Sequence, residues 1–504
     1  MQFAFLFLSI VLIVVSFRSF LKQRPSSIIF LLLGGLCMRI SLALFDTLLN
    51  SWDECFHGVV AKNFTKHWLT PTLYDSPLIS MGNGWVEGNI WLHKQPLFLW
   101  QMALSIKMLG TSVFAARLPS VLMSTIQIYF IYSIGVQVMN KKVGYYAALI
   151  YAIAYYPLAL VSGAACNDHN DVAFVFYVCA SCWAWFNYSK AKEWKWVFAI
   201  GVFAGMAVLV KWLAGILVFG GWGMAILTDK EIRVNIKNYV QIGVAFLCCL
   251  TVFLPWQFYI FQVFPQAAQQ EFALISQHFN MVVELHDGPW YYYLKTMKDI
   301  YPFGLHLGPI LVLVSLMFLL KALSNRAYSA FILSSIVFVY VFFSVAATKM
   351  ASFVFIVSPF IFIAIGSVMH WLFERSKSVR YSQFKYVVLV FAMVGFFNIP
   401  QHYKDHYGNG KKQVFAEYKK KLDGLNSRFK EQDVVLFNVS YLDATQLMFF
   451  TDMKVYTIIP KPEQLDKIYS LQKTPVIINA GNLPDYILND TRIVVLNDFR
   501  FPSL

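Results

Sequence analysis

The strongest constraint on this chain is a succession of apolar runs near residues 2–17, 27–46, 117–139, 143–162, 171–189, 196–210, 213–228, 239–256, 305–321, 328–347, 352–372 and 384–399. A hydrocarbon core about 30 Å thick is crossed by roughly 17–25 such residues in a helix. The chain therefore reads as a polytopic α-helical membrane protein of about 11–13 transmembrane helices. Residues 196–228 read best as a re-entrant pair around Lys211. Composition agrees: 58% of residues are apolar and 13% charged, against about 45–50% and 25% in a soluble domain.

A net charge of +14 invites a nucleic-acid partner, and the placement of the charges argues against one. Arg18, Lys22 and Arg24, then Lys141 and Lys142, Lys190 to Lys195, Lys230 to Lys237, Lys321 and Arg326, and Arg375 to Lys385 fall in alternate short connections. That alternation follows the positive-inside rule and puts those connections in the cytoplasm. The long segments 47–116 and 257–304 and everything after Pro400 then face outward. The first run lacks a basic start and a small-residue cleavage site, so it reads as an anchor rather than a signal peptide. The seven cysteines are odd in number and mostly within apolar runs, which suits packing rather than a disulfide framework or zinc spacing.

The text turns polar after Pro400, which divides a membrane domain, 1–400, from a soluble domain, 401–504. In the second, an amphipathic helix over 411–428 precedes β-branched runs at Val434–Val439, Lys454–Ile459, Pro475–Ala480 and Arg492–Leu496. Strands separated by helical stretches predict a small, mainly parallel α/β layer. No internal repeat, glycine-rich phosphate loop or dinucleotide fingerprint is visible, so no nucleotide cofactor is expected. Asn438-Val439-Ser440 matches a glycosylation acceptor but starts inside a predicted strand.

Acid is scarce, with 27 Asp and Glu in 504 residues, so its positions are informative. Asp53 and Glu54 stand together just after the run that ends near Leu49, where charge is costly unless something uses it. They open a loop too long to be a mere connector and too rich in Trp, Leu and Met for disorder. Within it lie Lys94-Gln95-Pro96-Leu97-Phe98-Leu99-Trp100, then Leu109-Gly110, then Arg117-Leu118-Pro119.

This order resembles the GT-C class of membrane glycosyltransferases, specifically the protein O-mannosyltransferase and aminoarabinose-transferase superfamily. The resemblance covers about 45–400 and includes Asn167-Asp168, Val210-Lys211-Trp212, His286-Asp287-Gly288-Pro289-Trp290-Tyr291-Tyr292-Tyr293, and Thr348-Lys349 followed by Pro359. The chain departs from the family at Gln95, where a second proline is common, and at His93, where the aminoarabinose enzymes carry a glutamate.

Sugar transfer needs a base for the acceptor hydroxyl and cations for the departing phosphate. Asp53 is the candidate base, set against a helix cap or an interfacial carboxylate; Glu54 either orients the donor or caps the following helix. Lys94, Arg117, Lys211 and Lys349 sit on the outer side against the charge bias, so they read as donor-phosphate ligands, with snorkelling to headgroups as the competing reading for Lys94. Asp168, beside Asn167, His169 and Asp171, matches the family's second acidic motif and would support the catalytic geometry, or cap the helix that follows. Trp290, Tyr292 and Tyr293 offer aromatic faces to a sugar or form an interfacial belt. His93, His278 and His286, with a carboxylate, would suit zinc or manganese as in the aminoarabinose enzymes.

Nucleotide sugars do not reach the outer face, so the implied donor is a polyprenyl-phosphate sugar and the acceptor a lipid, protein or glycan. A secondary transporter would place ionisable groups at mid-membrane in two related halves, which this sequence lacks. A lipid-sugar flippase or lipid-binding scaffold would use the same lysines but would not need Asp53.

Overall fold

The structure is a computed structural model; it describes every residue except 80–87, 166–169, 304–306, 376–382, 430–431, 482, 498 and 503–504. The chain forms two compact units. One comprises Met1–Ala43 and Ser120–His402, the other Leu44–Pro119 and Tyr403–Leu504. Residues 44–119 thus group with the C-terminal segment.

The first unit is helical. Among the described residues of the whole chain, eight helices are long and apolar enough to cross a membrane, or nine if the pair Lys141–Ile153 and Tyr155–Ser162, bent by 44°, counts as one. The shorter apolar helices Ser27–Ala43 and Gly308–Ala322 account for part of the difference from the expected count; a third, Pro96–Leu109, lies outside the expected runs. The bend has a local cause: Pro157 has no N–H to give the carbonyl of Ile153, four residues back. Arg39, fully buried on Ser27–Ala43, donates from Nε to Ser124 Oγ (2.8 Å) and from Nη1 to the carbonyls of Gly35 and Ala152 (both 3.1 Å), so this charge is solvated by the protein itself. Close helix approach is bought with small residues. A Cβ on Gly201 would lie 2.2 Å from the Ala245 carbonyl and one on Gly205 2.7 Å from that of Cys249, so helix Trp194–Lys211 rests directly on the backbone of Ile236–Val263.

Helix Trp194–Lys211 ends where Trp212 takes a φ of +72°, and a 3-10 turn, Trp212–Ile216, follows. Gly215 packs against the backbone of Ala207 and Val208 before the chain enters Leu217–Thr228, and Trp194–Thr228 counts as one span rather than the expected re-entrant pair. Lys211 stands at the turn.

The second unit holds a four-stranded parallel sheet in the order β2-β1-β3-β4, with β1 Val434–Phe437, β2 Lys454–Val455, β3 Thr474–Ile478 and β4 Val494–Leu496. All of β1 is buried, as expected for a central parallel strand covered on both faces. Helix Lys411–Phe429 brings Phe415, Tyr418, Leu422, Leu425 and Phe429 onto one stripe, spaced alternately three and four residues apart. That stripe packs on Leu436, Val455, Val476 and Leu496, and Leu48 of the first loop joins the same core.

Asp46, beyond the end of helix Ser27–Ala43, anchors that loop. It is 5% exposed and accepts from His406 Nδ1 and Lys411 Nζ, each at 3.1 Å, with Lys412 Nζ at 3.5 Å. Burial alone would raise its pKa; the His406 hydrogen bond and charge, followed by the Lys411 charge, outweigh burial and hold the carboxyl well below its ordinary 3.8. A carboxyl held low contributes stability that is complete above its unfolded pKa and is lost as pH falls below it. Asp46→Asn should therefore cost about 1–3 kcal/mol near neutral pH by removing the charged acceptor of buried His406 and of the partly exposed Lys411 and Lys412, and the gap to wild type should narrow on acidification below about pH 4. Thermal melting of both proteins across that range checks this, and a gap that stays constant with pH would contradict the ion-pair account.

Candidate active site

Asp53 and Glu54 open the helix Asp53–Phe64. The N-cap position is Trp52, which makes no side-chain cap hydrogen bond, so Asp53 is the first helical residue and not the cap. Both carboxylates lie in the first turn, where the helix dipole favours negative charge. Their environments then diverge. Glu54 is 2% exposed and takes a bidentate hydrogen bond from Arg117, Nε to Oε1 at 2.7 Å and Nη2 to Oε2 at 2.8 Å, while the Asn50 N–H donates to Oε2 at 2.7 Å. Asp53 keeps partial exposure, and its Oδ2 lies 3.5 Å from Lys94 Nζ.

Lys94 reaches this position because it stands just before Gln95, the N-cap of helix Pro96–Leu109, which packs beside Asp53–Phe64. Pro96 at the first turn starts that helix and Gly110, with φ +80°, ends it. The two helices are pinned by the stacked indoles of Trp68 and Trp100, 6.3 Å apart, and by Trp100 Nε1 donating to the Trp68 carbonyl at 2.9 Å. His93 stands edge-on to Trp91, which also meets His57. Arg117, read above as a phosphate ligand, is instead 1% exposed with its fork occupied by Glu54. A guanidinium so enclosed positions Glu54.

The first unit carries the remaining candidates. Lys211 Nζ donates to Asp171 Oδ1 at 2.8 Å and stands 5.0 Å over the Phe353 ring. Asp171, 1% exposed, opens helix Asp171–Ala191; Asp168, Asn167 and His169 lie outside the described residues. Lys349 is 6% exposed and hydrogen-bonds the Ala346 carbonyl. Its own N–H donates to the His286 carbonyl at 2.9 Å, and the Thr348 N–H to that of His278 at 3.1 Å, so two segments distant in sequence run side by side. Of the aromatic set, Trp290 is well exposed, Tyr292 partly so, and Tyr293 buried with its ring edge-on to Tyr292 and Tyr340. Tyr293 is therefore a packing residue and not a sugar platform.

The metal expectation does not fit. Among the described residues no group of three or more His, Cys, Asp or Glu side chains is arranged to hold an ion. His278 Nδ1 lies 2.9 Å from the Leu274 carbonyl of its own helix, and His286 pairs loosely with Glu284 at 3.9 Å.

Sequence reasoning missed the Asp46–His406–Lys411 cluster and Asp443, which accepts from Tyr418 Oη at 2.7 Å and from Ser440 Oγ at 2.6 Å. Burial raises the Asp443 pKa against those two hydrogen bonds. A clue to the first was available: three cationic or titratable residues crowd 406–412 on the side that the charge rule leaves poor in cations.

Residues 93–259 match the family model described as dolichyl-phosphate-mannose-protein mannosyltransferase. No curated protein matches the chain. In fold, the chain is similar to ArnT from Cupriavidus metallidurans bound to undecaprenyl phosphate, with a TM-score of 0.64, 13% identity and 88% of each chain covered. This chain has the GT-C fold, and its residues 93–259 are similar to the mannosyltransferase family. An oligosaccharyltransferase of Archaeoglobus fulgidus tethered to an acceptor peptide shares the GT-C fold at a TM-score of 0.54 and 11% identity, over 87% of this chain and 64% of that one. The same enzyme in complex with Zn and sulfate aligns at 0.54 and 11%, over 85% and 62%. The fold class read from the sequence, a polytopic GT-C membrane protein with a small C-terminal α/β layer, stands.

Proposed function

We propose that this GT-C protein moves a sugar from a polyprenyl-phosphate donor to a hydroxyl or phosphate of a lipid, protein or polysaccharide on the outer face of the cytoplasmic membrane, with Asp53 as general base. The observation that carries the reading is Asp53 beside Lys94 at 3.5 Å, both partly exposed, at the starts of two packed helices. A base and a phosphate-binding cation are what the transfer needs. Further support for a lipid-phosphate donor comes from the mannosyltransferase match and from ArnT, which was crystallised with undecaprenyl phosphate.

In the step, the acceptor oxygen bonds to the anomeric carbon as the bond from that carbon to the phosphate oxygen breaks. The acceptor proton passes to the Asp53 carboxylate. The electron pair leaves on the polyprenyl phosphate, whose developing charge Lys94 stabilises. An ammonium beside a carboxylate also weakens it as a base. A donor phosphate competes for Lys94, so Asp53 becomes a stronger base when the donor is in place. Glu54, held by Arg117, positions the turn that carries Asp53. Within the first unit, Lys211 and Lys349 remain candidate phosphate ligands, Trp290 and Tyr292 a candidate aromatic surface for sugar or acceptor, and Asp168 a candidate support for the donor.

Asp53→Asn keeps size and much of the hydrogen bonding but cannot take the proton, so transfer from a polyprenyl-phosphate-sugar extract should fall about 10²–10⁴-fold. Its affinity for undecaprenyl phosphate should persist. Near-normal transfer would remove Asp53 as base and favour a lipid-binding scaffold or flippase.

Lys94→Ala should raise the Kd for undecaprenyl phosphate by about 10–100-fold, the equivalent of one charge-assisted contact of about 1.5–3 kcal/mol. An unchanged Kd would return Lys94 to headgroup snorkelling.

The outward orientation rests on the charge alternation. A reporter fused after Gly410 should be active only outside the cytoplasm, and cytoplasmic activity there would overturn the assignment.

A further inference from the structure

Helix Tyr441–Phe450 of the C-terminal segment meets the Asp53 helix along its whole length. At the near end, the Tyr441 ring stands edge-on to Trp52, 6.0 Å away, and Trp52 immediately precedes Asp53. In the middle, Gly58 leaves room for Phe449: a Cβ there would lie 3.1 Å from the Phe449 ring and 2.7 Å from Leu49 Cδ1. At the far end, Lys62 Nζ caps the C-terminal helix by donating to the carbonyls of Met448 (3.0 Å) and Thr451 (2.6 Å).

One further contact reaches the turn that leads into Asp53. Gln446, fully buried, donates from Nε2 to the Leu49 carbonyl at 2.8 Å. The next residue, Asn50, donates its N–H to Glu54 Oε2 at 2.7 Å and accepts the Trp52 N–H on Oδ1 at 3.1 Å. A hydrogen-bonded line thus runs from Gln446 through the 49–52 turn to Glu54 and on to Arg117. It brackets Asp53 on both sides in sequence.

We infer that the C-terminal α/β segment is the platform that sets the position of Asp53, and that Gln446 is a positioning residue for the transfer reaction. The inference rests on the reading of Asp53 as general base and assigns a role to a segment that the chemistry does not otherwise require. Its physical basis is that misplacing a reacting group by about 1 Å costs on the order of 10²-fold in rate. The short turn at 49–52 lies outside regular secondary structure, and these hydrogen bonds and the burial of Leu49 help to hold it.

The test uses the full chain, a polyprenyl-phosphate-sugar extract as donor and undecaprenyl phosphate as the binding probe. Gln446→Leu keeps the bulk and removes the donor to Leu49. It should lower kcat about 10–100-fold while KM for the extract and Kd for undecaprenyl phosphate stay within about twofold, since no phosphate contact is altered. Combined with Asp53→Asn it should cost nothing further, because both substitutions act through one group. Gly58→Ala, which presses the two helices apart, should give the same split and keeps the test open if Gln446→Leu does not fold. Wild-type kcat in both variants, alongside an inactive Asp53→Asn, would overturn the platform and leave the base intact. An active Asp53→Asn would overturn the base. A fall in kcat that adds in full to that of Asp53→Asn would mean Gln446 acts elsewhere, and would also overturn the inference.

Discussion

The buried pair between Glu54 and Arg117 is the interaction on which the geometry around Asp53 depends. It joins a residue near the start of the 44–119 segment to one near its end. Taking two ions out of water costs several kcal/mol each, and only close, saturated geometry recovers it. Here the fork of Arg117 matches both carboxylate oxygens, and the Asn50 N–H adds a third bond. Such a pair leaves little freedom to the turn around it. Asp53, one residue earlier, is thereby held close to Lys94 while staying partly open to solvent. Of two adjacent carboxylates, one is buried against Arg117 and the other stands partly exposed beside Lys94.

The same economy governs charge in the helical unit. Arg39 is solvated by Ser124 and two carbonyls, and Lys211 is taken up by Asp171. An isolated charge in an apolar bundle is costly, so each finds a local partner. Lys211 differs from Arg39 in standing at a break, beside a tryptophan with positive φ. Strain of that kind persists only where the surroundings enforce it, and here the packing of Gly215 against the backbone of Ala207 and Val208 supplies the enforcement.

Much of this was legible beforehand. The strands predicted at 434–439, 454–459, 475–480 and 492–496 each overlap an observed strand, and the 411–428 helix appears as Lys411–Phe429. Asp53 and Lys94 could be singled out one at a time, but nothing in their spacing says that they meet. The histidine reading failed because His278 turns to its own helix carbonyl and His286 to Glu284, neither of which spacing reveals. Arg117 and Tyr293 were misread for one reason: residue type shows what a side chain can bind, not whether burial leaves it able to.

What the sequence determined by itself is therefore everything set by local or averaged physics: apolar runs long enough to need a bilayer, a charge alternation, an α/β rhythm after Pro400, and the few acids available for chemistry. What only the tertiary structure decided is which of those groups are engaged with one another. Residues 44–119 fold with a segment almost 300 residues later, and Gln446 reaches Leu49 across that gap. The partners that neutralise Glu54, Asp46 and Lys211 are likewise remote in the chain. Pairing at such separations depends on which surfaces the folded helices bring together, and no periodicity within a short window of sequence encodes it.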